Sequence, residues 1–172
     1  MNCRQNWSKK SEEELNTHII KEYEASYTYH LLSSYFDRDN VGLNKLVEYF
    51  NKASMEEREH ADKLMKYQNM RGGIVKLGNI NINNELINFN KDNDILGGFN
   101  LALKLERHVN EYLLNLHKVA DEEGDPQFSD YLEGEFLKEQ VEAISELSKH
   151  ISVLERFNGD QHGMWNYIDE NF

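Results

Sequence analysis

The apolar positions of this 172-residue chain fall into four long stretches with helical spacing, separated by polar turns. The second stretch has the clearest rhythm. Leu46, Phe50, Ala53, Glu57, His60, Leu64 and Tyr67 follow one another in alternating steps of four and three, the period of one buried helix face. That face predicts a helix over about 43–70, stopped by Arg71-Gly72-Gly73. The first stretch, about 11–37, opens with Ser11 and Glu14 at capping-box spacing. Its inner face carries Leu15, Glu22, Tyr29 and Phe36 on one heptad line, with His18/Ile19, Ala25/Ser26 and Leu32/Ser33 on the other. The third, about 94–121, takes Asp92 or Asp94 as its cap and has the seam Phe99, Leu103, Glu106, Asn110, Leu113, His117, Ala120. Glu123-Gly124-Asp125-Pro126 then stops one helix and starts the next, with Asp125 as N-cap and Pro126 in the first turn. The fourth stretch, about 126–157, has the seam Leu137, Gln140, Ile144, Leu147, Ile151, Leu154. Asn158-Gly159-Asp160 closes it, and a short fifth helix follows over about 160–171.

Residues 72–93 interrupt the pattern: they are rich in asparagine and carry only scattered Ile and Leu. So long a connection inside one domain is unusual. A four-helix bundle with a single long crossover requires one, because the chain must travel the bundle's length so that helices two and three run parallel. The expected fold is therefore all-α: one domain over 1–172, a four-helix bundle with the crossover between helices two and three, and a short fifth C-terminal helix. The alternation Asn79-Ile80-Asn81-Ile82-Asn83 predicts a short extended piece that covers or pairs with a neighbour.

Composition narrows the function. A formal charge of −12 argues against nucleic-acid binding, which needs basic surface, and suits attraction of cations. Cys3 is the only cysteine, which excludes an internal disulfide and cysteine-based metal sites. No apolar run approaches the roughly 20 residues of a membrane span. The polar N-terminus has no signal core, which leads to the expectation of a cytoplasmic protein.

The chemistry lies in the seams. Glu22 and Tyr29, Glu57 and His60, Glu106, and Gln140 occupy mid-seam positions, at least one on each long helix and at similar depth. A buried unpaired carboxylate must be neutralised, paired or metal-bound, and the seams offer no lysine or arginine to pair with. Singly, each is explained as a boundary residue, an ion pair or a satisfied core histidine. Together, three carboxylates, an imidazole and an amide make a set of hard oxygen donors with one nitrogen, suited to Fe(II), Mn(II) or Zn(II). Glu57 is placed to bridge two ions.

Several runs carry a family resemblance: Glu24-Ala25-Ser26-Tyr27-Thr28-Tyr29, Tyr35-Phe36-Asp37-Arg38-Asp39, Glu56-Glu57-Arg58-Glu59-His60-Ala61 with Lys63-Leu64-Met65-Lys66, Gln68-Asn69-Met70-Arg71-Gly72-Gly73, and Leu137-Lys138-Glu139-Gln140-Val141. Through them the chain resembles eukaryotic heavy-chain-type ferritins over nearly its whole length. The ferritin-like di-iron proteins are themselves a familiar instance of the single-crossover bundle with carboxylate ligands. The resemblance implies iron storage with ferroxidase activity, in which Fe(II) is oxidised by O2 and Fe(III) is deposited as mineral inside a hollow shell. Glu22, Glu57 and His60 would hold the first iron. Glu57, Glu106 and Gln140 would hold the second, giving two Fe(II)/Fe(III) ions per subunit and no haem. Tyr29 would hydrogen-bond within the centre and take part in electron transfer. Light-chain ferritins lack this set. Gln140 and Ala143 stand where a symmetric di-iron protein has a second Glu-x-x-His, which implies a weaker second site. The implied partners are iron ions, O2 and further copies in a 24-subunit shell, pure or mixed with other ferritin chains, with no nucleic acid or membrane.

Three further groups follow from the same resemblance. Glu56, Glu59 and Asp62 would nucleate mineral; a solvated helix face is the alternative. Asp130 and Glu133, with His117 nearby, would line a three-fold entry channel; the alternative is an acidic first-turn pair favoured by the helix dipole. Met164, Ile168 and Phe172 would line an apolar four-fold channel, or simply pack. Two rival readings remain: a non-catalytic storage or structural subunit, which retention of the five ligands opposes, and another di-iron carboxylate oxidase, which the missing second Glu-x-x-His opposes.

Overall fold

Ser8, not Ser11, starts the first helix. The computed structural model describes residues 2–90 and 93–172, and in it α1 spans Lys9–Phe36. The Ser8 hydroxyl accepts from the Ser11 backbone N–H at 2.9 Å, while Ser11 itself is buried inside the first turn. The expected Ser11–Glu14 box is thus displaced by a cap three residues earlier.

α2 spans Asn44–Met70 and buries Leu46, Phe50, Glu57, Leu64 and Tyr67 as its seam predicts. Ala53 and His60 are half-buried, and Ser54 and Ala61 turn inward beside them. α1 and α2 are antiparallel and close together, because small residues face each other. Ser26 Oγ donates to the Ser54 carbonyl at 2.7 Å and Ser54 Oγ to the Ser26 carbonyl at 2.8 Å. Gly72 ends α2 with φ +74, a conformation glycine adopts without a Cβ penalty.

The crossover lies along α1. Asn16 holds it from both sides, donating to the Ile74 carbonyl and accepting from the Lys76 N–H, each at 3.0 Å. Further on, the Asn81 N–H reaches Glu24. A 3₁₀ turn at Asn84–Leu86 follows, then Phe89 packs edge-on against Tyr35 at 5.1 Å near the C-terminal end of α1. The chain has therefore crossed the bundle, and α3 (Asp94–Glu122) starts beside the N-terminal end of α2 and runs parallel to it. Among the described residues, 79–83 pair with no strand; the Glu24 side chain of α1 takes the Asn81 N–H instead.

α3 departs from the predicted cap and seam. Its N-cap is Asn93. Asp94 lies in the first turn, buried, and accepts from the Tyr35 hydroxyl at 3.1 Å. Asp92, the other expected cap, lies outside the described residues. The helix is also turned by about one residue. Ala102, Glu106, Val109, Leu113, Leu116 and Ala120 face inward, whereas Leu103, Asn110 and His117 are half-buried flanks. Glu106 is inside on either count.

Asp125 caps α4 (Pro126–Leu132) by accepting from the Phe128 N–H at 3.1 Å. It also pairs with Arg71 at 2.6 Å, tying the end of α2 to this corner. The expected fourth helix continues as a π-helical turn over Glu133–Leu137 and then α5 (Lys138–Arg156). The inward residues Phe128, Leu132, Phe136 and Gln140 are spaced by fours. On a regular helix each such step drifts about 40°, and the wider π turn absorbs that drift. This brings Phe136, rather than the expected Leu137, fully inside and keeps Gln140 facing the interior. Asp160 caps α6 (Gln161–Asn171).

The bundle holds two apolar clusters. One gathers Phe36, Phe50, Phe99, Ala102, Leu147 and Leu154; the other gathers Leu15, Ile19, Ala61, Leu64, Leu113 and Phe136. On every long helix a polar residue falls between them: Glu22 after Ile19, Glu57 before Ala61, Glu106 after Ala102, Gln140 after Phe136. These four form a buried polar layer across the bundle. Among the described residues, no helix is long and apolar enough to cross a membrane.

Candidate metal centre

Each long helix delivers its polar residue because a heptad seam holds it inward between large apolar neighbours. Glu22, Glu57, Glu106 and Gln140 are 2%, 5%, 5% and 7% exposed, and His60 is half-buried at the layer's edge. Glu57 and His60, one turn apart on α2, meet directly: His60 Nδ1 is 3.2 Å from Glu57 Oε2. Glu22 Oε2, on α1, lies 4.0 Å from the same nitrogen. Among the described residues, these three form the one set whose ligand atoms lie within 4.8 Å of each other.

Glu106 and Gln140 form the other half. Gln140 Nε2 donates to the Glu106 carbonyl at 2.8 Å and to Glu106 Oε2 at 2.6 Å. The Tyr29 hydroxyl donates to Glu106 Oε1. Glu57 interacts electrostatically with both Glu22 and Glu106, so it sits between the two halves.

Protonation reflects this crowding. Burial, with repulsion from neighbouring carboxylates, pushes Glu57 and Glu106 up to about 8. Burial raises Glu22 in the same direction. For His60, burial alone would lower the pKa, but the Glu57, Glu22 and Glu139 carboxylates outweigh it and lift the imidazole to about 9. Burial and the Glu106 charge raise Tyr29 well above its ordinary value.

Two residues of this neighbourhood were not singled out from the sequence. Glu139 Oε2 lies 3.3 Å from His60 Nε2 on the exposed side. His18, one turn before Glu22, is 2% exposed, with Nε2 2.9 Å from Glu22 Oε1. That distance suits a hydrogen bond, yet the ring is not turned to make one: both imidazole nitrogens and Glu22 Oε2 have no partner. Among the described residues, these three are the buried side-chain nitrogens and oxygens in that condition. The signal for His18 was its place on the inner face, four residues before a buried carboxylate. Burial lowers its pKa to about 4, so the ring is neutral.

The other expected groups assemble less fully. Glu56 and Glu59 are exposed and Asp62 half-buried, on α2 beside the layer. His117 Nε2 meets Glu133 Oε1 at 2.7 Å, joined by Asp121 at 3.5 Å from Nδ1. Asp130 is exposed, about one turn before Glu133. Met164 and Ile168 pack inward in the apolar cluster of Phe99 and Leu154, and Phe172 closes on Tyr49 and His150. Within the single chain Met164 and Ile168 are buried and Phe172 is half-buried. The groove of about 490 Å³ lined by Ile20, Tyr23, Tyr27, Met55, Leu77 and Ile80 is a separate feature.

A family model described as the ferritin-like domain matches residues 12–157. The chain is 50% identical over 166 residues to a chloroplastic ferritin of Malus baccata var. xiaojinensis, covering 96% of this chain and 66% of that one. It is 49% identical to a chloroplastic ferritin of Phaseolus vulgaris, covering 96% and 65%. Against chloroplastic ferritin-4 of Arabidopsis thaliana it is 48% identical, covering 96% and 63%. The chain thus spans just under two thirds of the length of these relatives. Their names correct one expectation. The cytoplasmic expectation rested on a polar N-terminus and is overturned by these relatives, which are named chloroplastic ferritins.

Proposed function

The chain belongs to the ferritin family, and from that premise we propose that it is an iron-storage subunit with ferroxidase activity, one ferritin-like di-iron domain over 1–172. The observation that carries this is the buried polar layer, with three carboxyls and an imidazole converging from three helices and an amide from a fourth, closed above and below by apolar clusters. Such a group is costly unless a cation occupies it. Iron is the substrate here.

Glu22, Glu57 and His60 hold the first Fe(II); Glu57, Glu106 and Gln140 hold the second, with Glu57 shared. Gln140 is neutral and already engaged with Glu106, so the second position binds more weakly and suits iron in transit. Anionic oxygen ligands stabilise Fe(III) over Fe(II), which favours oxidation. Each iron loses one electron, so a pair supplies two electrons to O2. Tyr29 fixes Glu106 and stands in reach of electron exchange. Fe(III) then hydrolyses and leaves for a mineral store. His117 and Glu133, with Asp130 nearby, serve cation entry, and Glu56, Glu59 and Asp62 serve nucleation. By family the shell has 24 subunits, and the relatives' names favour the plastid as its compartment.

The test is aerobic Fe(II) oxidation followed by ferric absorbance, comparing wild type with Glu57→Ala/His60→Ala. A fast phase saturating at about two irons per chain, as a two-metal site requires, and lost in the double variant supports the proposal. Equally slow curves for both proteins overturn it and leave a passive subunit.

A further inference from the structure

We propose that His18 is a positioning residue of this centre, holding Glu22 so that one carboxylate oxygen faces Glu57 and His60. The inference rests on the di-iron reading above. The two oxygens of Glu22 are divided between two imidazoles: Oε1 lies 2.9 Å from His18 Nε2, and Oε2 lies 4.0 Å from His60 Nδ1. A glutamate's terminal torsion is broad and has no strongly preferred setting of its own. An N–H donor beside Oε1 removes that freedom and leaves Oε2, which has no other partner, for the cation. His18 can do this because nothing competes for it: neither ring nitrogen has a hydrogen-bond partner. A turn of the ring that points Nε2–H at Oε1, already 2.9 Å away, completes the bond, the kind of adjustment expected when a metal-free site tightens on loading.

A packing role does not explain the residue. Its neighbours on the same face, Leu15 and Ile19, fill the core without polar atoms. An imidazole with two unpaired nitrogens there costs stability that an aliphatic side chain would not. Nor is His18 placed as a ligand of the first ion, since the ligand atoms within 4.8 Å of each other belong to Glu22, Glu57 and His60. His18 acts on the ion through Glu22, as outer partners of metal ligands do.

The experiment is anaerobic calorimetric titration of the metal-free assembled protein with Zn(II), together with its thermal melt, for wild type, His18→Leu, His18→Gln and Glu57→Ala/His60→Ala. His18→Leu is expected to weaken the tighter site about tenfold or more, the usual effect of losing an outer partner. Its metal-free melting temperature should stay level or rise, a combination that a merely structural residue would not produce. His18→Gln restores an N–H donor and is expected within about threefold of wild type. Wild-type affinity in His18→Leu overturns the proposal. So does His18→Gln binding as weakly as His18→Leu, because the imidazole itself is then the ligand. If His18→Leu fails to assemble, His18→Met fills the space without a donor and carries the same outcomes. A wild-type chain with no tight Zn(II) site unseats the di-iron reading. A tight site lost in Glu57→Ala/His60→Ala but intact in His18→Leu unseats His18 alone.

Discussion

Loading the centre with cations should expel protons, and the number follows from the geometry. Glu57 and Glu106 are held near 8 and His60 near 9 by burial and by one another. A cation binds these groups only as carboxylates and as a neutral imidazole, so protons held in the metal-free state must leave. At about pH 6.5 Glu57 and Glu106 each carry nearly a full proton, so filling both positions releases at least about two per chain; His60, lifted by whichever neighbouring carboxylates are ionised, titrates together with Glu57 and adds to that number. At about pH 8 the two carboxyls are about half-protonated, and the release falls. Glu22, raised in the same direction, adds to the release. Glu106→Gln removes one titrating group and should lower the release at about pH 6.5 by about one proton. The assay is Zn(II) titration calorimetry in buffers of differing ionisation enthalpy, which separates proton transfer from binding heat. Release below one proton per chain at the lower pH, or equal release from wild type and Glu106→Gln, would refute the argument that these carboxyls are protonated for lack of a cation.

The same protons set the pH dependence of the metal-free fold. Between about pH 6.5 and 8.5 the folded chain holds protons on Glu57, Glu106 and His60 that the unfolded chain has lost, so the melting temperature should fall as pH rises and recover with Zn(II). His18, lowered to about 4, contributes in the opposite sense only below about 6.5, outside that window. A flat or rising melt across it contradicts the assignment. Phe128 is fully buried, with Trp7 edge-on at 4.9 Å and Tyr67 stacked at 5.3 Å. Phe128→Ala should cost roughly 3–5 kcal/mol in urea unfolding with an unchanged slope, and a loss under about 1 kcal/mol would show that this corner collapses onto the cavity.

Much of this was legible along the chain. The four-three rhythm of α2 placed Glu57 inside a helix face, and Asp125-Pro126 marked the start of α4, because periodicity and capping are local properties. The need for one long crossover followed from the length of the stretch between helices two and three. Other features depended on partners distant in sequence. Ser8 rather than Ser11 caps α1, where Trp7 buries against α2 and donates to Gln68 at 3.0 Å. The rotation of α3, which turns His117 outward to Glu133, depends on which of two adjacent seams its neighbours accept. The π turn that brings Phe136 inside shows in sequence only as a run of fours.

Four amphipathic helices burying three carboxyls and an amide among apolar residues could be read from the chain alone, because a helix's inner face is written in its own spacing. Tertiary structure alone decided which of those groups share protons, and that His18 stands 2.9 Å from Glu22 with no other partner. Proton sharing and hydrogen-bond supply are set by distances between helices, which no single helix encodes.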